Sequence, residues 1–247
     1  MSSGKTLNHP SGLYPNLFIL GITGSIGAGK STFASSLKKH GADVEDSDKV
    51  VHDFLSNNHQ LIKQLADVFG HKILNQDGSI NRAQLGKKVF EDCHQIKKLE
   101  SYLHPLVKQA RLQKMDALNQ DLSSKNKWMV LDVPLLFETD TYQQCDFTIL
   151  VWASEETRKK RVLMRPNGSE KRYQLIKNHQ MPDIDKAQKA DIVISSMQSI
   201  GSIEDLAAQM GLLMRERQDK SKILLKSELL KLIKQHILYL DKSKINS

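Results

Sequence analysis

At 247 residues, with 39% hydrophobic and 26% charged side chains, the chain is sized for one α/β domain with appendages or two small domains. No run of about 18 apolar residues is present to cross a membrane, the polar start MSSGKTLNHPSGLYPN lacks the apolar stretch of a secretory signal, and Cys93 and Cys145 are expected to stay reduced thiols in a cytoplasmic protein. A net charge of +8 would suit nucleic-acid binding, but residues 212 to 247 carry +5 of it, so no nucleic acid is expected on the body of the chain.

Residues 1–16 read as a flexible arm. Leu17 to Thr23 reads as a buried strand, since a short apolar run ending at glycine suits the middle of a parallel sheet. A helix is expected from Lys30 to about His40, closed by Gly41. Ala42 to Asp48 reads as a second strand, placed beside the first, with a helix following over Val50 to Leu55. Residues 59 to about 127 read as a mainly helical region, turned at Asp77-Gly78 and reopened at His104-Pro105.

Trp128 to Asp132 and Phe147 to Trp152 are two more apolar runs that suit buried parallel strands. A charged helix from Ser154 to about Pro166-Asn-Gly168 begins a segment, about 158–182, that reads as a lid. Ala190 to Ser195 makes a last strand. Strands alternating with helices predict an α/β fold, a P-loop NTPase-type parallel sheet flanked by helices. The core is expected over 17–211, and a basic amphipathic helix over 212–247, with Leu225, Leu229, Ile233, Ile237 and Leu240 on one stripe.

Gly24-Ser-Ile-Gly27-Ala28-Gly29-Lys30-Ser31 satisfies G-x-x-x-x-G-K-[ST] between an expected strand and an expected helix. Glycines let successive backbone N–H groups turn onto phosphate oxygens, and the helix start adds its positive dipole end. Gly24, Gly27, Ala28, Gly29, Lys30, Ser31 and Thr32 are therefore the expected nucleotide-binding residues. Lys30 is expected at the β- and γ-phosphates and the Ser31 hydroxyl on Mg²⁺. Asp132, ending an apolar strand, stands as a second Mg²⁺ ligand.

An N-K-x-D guanine-reading motif is absent: Asn126-Lys-Trp-Met129 lacks the aspartate, and Asp67-Val-Phe-Gly70 falls in a helical stretch. Transfer to a small acceptor needs a carboxylate to take the hydroxyl proton, and Asp46 and Asp48 would share a face if their strand continued. Arg161 and Arg165, four apart on the charged helix, are expected to project together onto the transferring phosphoryl group. Arg158, Lys159 and Lys160 read as a solvated basic face.

These motifs together resemble the dephospho-CoA kinase family. Besides the loop, Asp46-Ser-Asp48 takes the place of that family's D-A-D. Asn81-Arg-Ala-Gln-Leu-Gly-Lys-Lys-Val-Phe90, Leu99-Glu and His104-Pro-Leu-Val107 match its substrate-side helices. Asp132-Val-Pro-Leu-Leu-Phe-Glu138, Arg161-x-x-x-Arg165 and Gln180 match its acidic loop and lid. The resemblance implies ATP-dependent phosphorylation of the ribose 3′-hydroxyl of dephospho-CoA, the last step of coenzyme A biosynthesis. It implies Asp48 as base, Lys30, Arg161 and Arg165 as catalytic groups, and Asp46, Arg82, His104 and Arg111 around the acceptor.

The chain departs from the family at Ile194 to Ser199, which lacks an Asn-Gly pair that frames adenine, in the extra acid of Val44-Glu-Asp46, and in its long basic C-terminus. The alternatives are a nucleoside or nucleotide kinase, sharing fold and loop, and a nucleotide-dependent binding protein whose basic tail docks RNA, DNA or an anionic membrane, or packs on a partner subunit or a second copy.

Overall fold

The computed structural model describes residues 13–89, 92–121, 127–166, 168–216 and 221–246. Residues 1–12 of the expected arm, Phe90, Asn126, Asn167, Arg217 and Lys220 lie outside them. Within the rest of that arm, Tyr14 is buried and Asn16 donates its backbone N–H to the Asn119 side chain at 3.1 Å.

The larger of two compact units comprises residues up to Glu45 and from Met115 onward. Its centre is a five-stranded sheet of β1 (Leu17–Thr23), β2 (Asp43–Asp46), β3 (Lys127–Asp132), β4 (Phe147–Trp152) and β5 (Ile192–Ser195), in the order β2-β3-β1-β4-β5. β1 is parallel to β3 and β4, and β4 to β5. All seven residues of β1 are buried, which is why its side chains from Leu17 to Leu20 are apolar at consecutive rather than at alternate positions.

The second strand does not lie beside the first, because β3 takes that place. β3 is apolar on both faces, whereas Asp43 and Glu45 suit β2 to the sheet edge.

One face of the sheet is covered by α1 (Lys30–Lys39), α9 (Ile200–Arg215) and α10 (Lys222–Gln235). Phe33 and Leu37, Leu206 and Met210, and Leu225, Leu229 and Ile233 from these helices join Phe18, Leu20, Val130, Ile149 and Ile194 of the strands in one core. The apolar stripe of the basic tail is thus occupied by the chain's own sheet. Its helix stops at Gln235, so Ile237 is exposed. Leu238 is buried in its place, because the chain then straightens against β5: Leu240 donates to the Val193 carbonyl at 3.1 Å and Ser195 to the Leu238 carbonyl at 2.7 Å.

Three tail lysines reach the residues just before β4 and β5. Lys222 pairs with Asp146 at 2.9 Å, Lys226 with Asp191 at 2.6 Å, and Lys242 donates to the Ala190 carbonyl at 2.6 Å.

The second unit, Asp46–Lys114, is helical. It holds α2 (Ser47–Asn57), α3 (His59–Phe69), α4 (Arg82–Val89) and most of α5 (Cys93–Gln120), with its own core of Leu55, Leu61, Leu65, Phe69, Ile80, Leu85 and Leu103. The Asp77-Gly78 turn forms as expected, with Gly78 at φ 82. No break occurs at His104-Pro105, and α5 continues through Pro105. One lost backbone hydrogen bond is outweighed by burial of Leu103 and Val107 on either side.

Leu229→Ala opens a cavity under the sheet and is expected to cost about 3 kcal/mol. Urea unfolding checks it: a lower midpoint with an unchanged slope is expected, and an unchanged midpoint would detach the tail from the core.

Candidate active site

Beyond Thr23 the chain turns from β1 into α1 over Gly24 to Gly29. Two glycines make the turn possible. A Cβ on Gly24 would sit 2.3 Å from the Val151 carbonyl oxygen, and Gly27, at φ 81, would place one 2.5 Å from that of Arg158. Ala28 donates to the Ser25 carbonyl at 3.0 Å, closing the loop on itself.

The loop delivers α1 without a cap. Side-chain oxygens cap α2, α3, α6 (Glu155–Leu163), α7 (Glu170–His179), α9 and α10, supplied by Asp46, Asn58, Ser154, Ser169, Ser199 and Ser221. At α1 the capping position is Gly29, in the left-handed conformation and with no side chain to accept. The first amides of a helix have no partner within it. Those of Lys30, Ser31 and Thr32 therefore present donors and the positive end of the dipole to an anion. Ser31 and Thr32 are exposed and Lys30 is half-buried.

Side chains from other parts of the unit engage the outer side of the loop. Gln180 accepts the Ile26 N–H at 2.8 Å, and Ser25 donates its hydroxyl to Asp183 at 2.5 Å. Arg158 pairs with Asp183 at 3.2 Å and donates Nε to the Ala153 carbonyl. Arg158 is therefore buried rather than part of a solvated basic face, since its position four residues before the buried Val162 turns it inward.

Arg161 donates Nη1 to the Gly27 and Ala28 carbonyls at 3.3 and 3.4 Å and to the Ser196 hydroxyl at 2.9 Å. Arg165 does not share its face, because α6 ends at Leu163 and Arg165 stands exposed in the following turn.

Asp132 ends β3 in register with Ile22 and is buried. The chain beyond it is tied to β1 by Val133 N–H on the Ile22 carbonyl and the Thr23 hydroxyl on the Pro134 carbonyl. Lys186, on α8 (Asp183–Lys189) and fully buried, donates to the Pro134 carbonyl at 3.0 Å and pairs with Glu138 at 3.1 Å. Glu138 in turn accepts the Met181 N–H at 2.8 Å. Burial pushes the Lys186 ammonium below its ordinary pKa; Glu138 opposes that shift and Lys30 adds to it.

In the helical unit, Asp46 and Asp48 do not share a strand face, because β2 stops at Asp46. The Asp46 carboxylate accepts the Lys49 N–H at 3.0 Å as the cap of α2, and Asp48 is exposed in the first turn. Arg111, buried on α5, donates to the Ser47 hydroxyl at 3.2 Å, so the structure brings it to this turn. Arg82 stands exposed at the first position of α4 and His104 exposed on α5.

Asp183, Lys186 and Ser196 are functional candidates that the sequence reading did not single out. Lys186→Met leaves Glu138 without its cation, and breaking such a pair costs about 3 kcal/mol. A lower urea midpoint is expected, partly recovered in Lys186→Met/Glu138→Gln; equal losses in single and double variants would contradict the pairing.

The family model of dephospho-CoA kinase (CoaE) matches residues 18–201. The dephospho-CoA kinase of Carboxydothermus hydrogenoformans is 37% identical over 188 residues, which are 76% of this chain and 89% of that protein. That of Lactobacillus johnsonii is 34% identical over 198 residues, 78% of this chain and 98% of its own length. Among solved structures, TT1252 from Thermus thermophilus shares the fold with a TM-score of 0.64 at 30% identity, covering 81% of this chain and 98% of that one. Dephospho-CoA kinase from Campylobacter jejuni shares it at 0.55 and 24% identity, with the same coverage. The matched span holds the uncapped loop, the Asp132–Glu138 segment and the residues that grip the loop from outside, and the chain belongs to the dephospho-CoA kinase family.

Proposed function

We propose that the chain transfers the γ-phosphoryl group of ATP to the ribose 3′-hydroxyl of dephospho-CoA, giving CoA and ADP in the cytoplasm. The observation that carries this is the uncapped start of α1 behind a loop whose outer polar groups are already occupied. That leaves inward-facing amides and Lys30 for a triphosphate, as expected of a member of this family.

In this reading Gly24, Gly27, Ala28 and Gly29 give the backbone cradle. Lys30, Ser31 and Thr32 supply the side chains and amides that meet the phosphates. Asp48 accepts the proton of the acceptor hydroxyl as the new oxygen–phosphorus bond forms and the bond to the leaving ADP oxygen breaks. Arg165, exposed beyond α6 in the lid segment, neutralises charge on the moving phosphoryl group. Arg161 is assigned a positioning role, because its guanidinium is spent on loop carbonyls.

Arg111 and Ser47 steady the turn that carries Asp48, while Asp46 acts through its cap. Arg82 and His104 are assigned to the acceptor on the strength of the motifs they stand in.

The donor set fits Mg²⁺. Among the described residues no group of three or more His, Cys, Asp or Glu forms a metal cage. The Ser31 hydroxyl and the buried Asp132 carboxylate are the hard oxygens that would hold an ion taking its other ligands from phosphate and water. Bound there, the ion would supply charge neutralisation at the β- and γ-oxygens.

ADP release coupled to a dye, measured across dephospho-CoA, adenosine, AMP and other nucleosides, tests the acceptor. Turnover with dephospho-CoA alone is expected, and turnover with a nucleoside or nucleotide alone would move the chain to another kinase class. Asp48→Asn is expected to lower kcat by ~10²-fold or more with ATP binding retained; near-normal turnover would remove Asp48 as the base.

A further inference from the structure

We infer that Ser196 is a positioning residue of the ATP site, coupling Arg161 to the phosphate loop, and that the C-terminal segment Leu238–Leu240 holds it in place. The inference rests on the reading of that loop as the ATP site. Ser196 is the first residue beyond β5 and is 4% exposed. Its hydroxyl donates to the Ala28 carbonyl at 2.5 Å and accepts from Arg161 Nη1 at 2.9 Å, while its carbonyl accepts from Arg161 Nη2 at 2.8 Å. The same Nη1 reaches the Gly27 and Ala28 carbonyls. One small side chain and one guanidinium therefore tie together the carbonyl side of the loop.

The two sides of a peptide are rigidly linked. Fixing the Ala28 carbonyl on the outside orients the N–H of Gly29, which belongs to the same peptide plane, while the Ala28 N–H is held by the Ser25 carbonyl. Space favours a small residue at 196: a Cβ on Gly29 would already lie 3.2 Å from the Ser196 side chain.

Ser196 is itself held from two directions. Its N–H donates to the Trp152 carbonyl at the end of β4 at 2.9 Å, and its neighbour Ser195 donates to Leu238 at 2.7 Å. Tyr239 forms an antiparallel bridge with Ile194, and Leu240 bonds Val193. The tail segment thus extends the sheet beside β5, next to the residue that grips the loop. These tail residues lie outside the span matched by the family model, which ends at residue 201.

The test is a double-mutant cycle on the full chain with Ser196→Ala, Arg161→Ala and the pair. ATP affinity is read by calorimetry without acceptor, and KM for each substrate by steady-state kinetics. Losing hydrogen bonds to a charged partner is expected to weaken ATP binding and raise its KM by about tenfold in each single variant. The double variant should be no worse than the worse single, and KM for dephospho-CoA should stay within about twofold.

Leu240→Pro, which removes the N–H given to Val193, should weaken ATP binding in the same direction by a smaller factor. Additive losses, or ATP binding unchanged in Ser196→Ala, would overturn the inference, and unchanged binding in Leu240→Pro would overturn the role of the tail. A wild-type chain that binds ATP but does not phosphorylate dephospho-CoA would sink the acceptor assignment and leave this cycle readable.

Discussion

The turn from β1 into α1 is the constraint on which the rest of the larger unit depends. In six residues the backbone must pass within contact distance of the Val151 and Arg158 carbonyls and deliver a helix whose first amides have no side-chain cap. A bare loop of that kind has little reason to keep one shape, since each residue fixed costs ~1–2 kcal/mol of backbone entropy. Side chains behind the loop meet that cost: Gln180 and Asp183 at its start, Arg161 and Ser196 at its end. The same bonds consume the polar groups that face away from the site. What remains open is the anion-binding side.

The elements that supply those side chains are arranged by the sheet. Arg158 and Arg161 come from α6 after β4, and Ser196 follows β5. Gln180 and Asp183 sit at the junction of α7 and α8, where Lys186 and Glu138 lock the same segment to the loop after β3. The carboxyl ends of β1, β3, β4 and β5 thus converge on one phosphate loop, in keeping with the tendency of open α/β sheets to place ligands at that edge. Burial of an ammonium at Lys186 is costly by itself. It is tolerated because Glu138 and the Pro134 carbonyl meet it.

Much of this was legible from the residues. β1, the loop and α1 were readable because their signals are local: an apolar run, glycines at fixed spacing and a clean helix. The strand ends at Asp132 and Trp152 followed from the same logic. Features set by distant parts of the chain were not. Nothing in Ala42 to Asp48 says that β3 will insert between β1 and β2, although acids at 43 and 45 were a sign of an edge. The bonds of Asp183 and Ser196 join residues more than 150 apart in sequence. Arg158 could have been found, since it shares a helical face with Val162. For the tail, Leu225, Leu229 and Ile233 do form an apolar stripe, while Ile237 and Leu240 fall beyond the helix end at Gln235, and sequence alone could not say that the stripe's partner would be the chain's own sheet.

The central claim is that the start of α1 is left uncapped in order to bind the phosphates of ATP, while the outer amides of the loop are already spent. Residue-resolved amide hydrogen exchange with and without ATP tests it most directly. The account predicts strong slowing at Gly29, Lys30, Ser31 and Thr32, and little change at Ile26, whose N–H is already held by Gln180. Unchanged exchange at residues 29 to 32 with saturating ATP would contradict it.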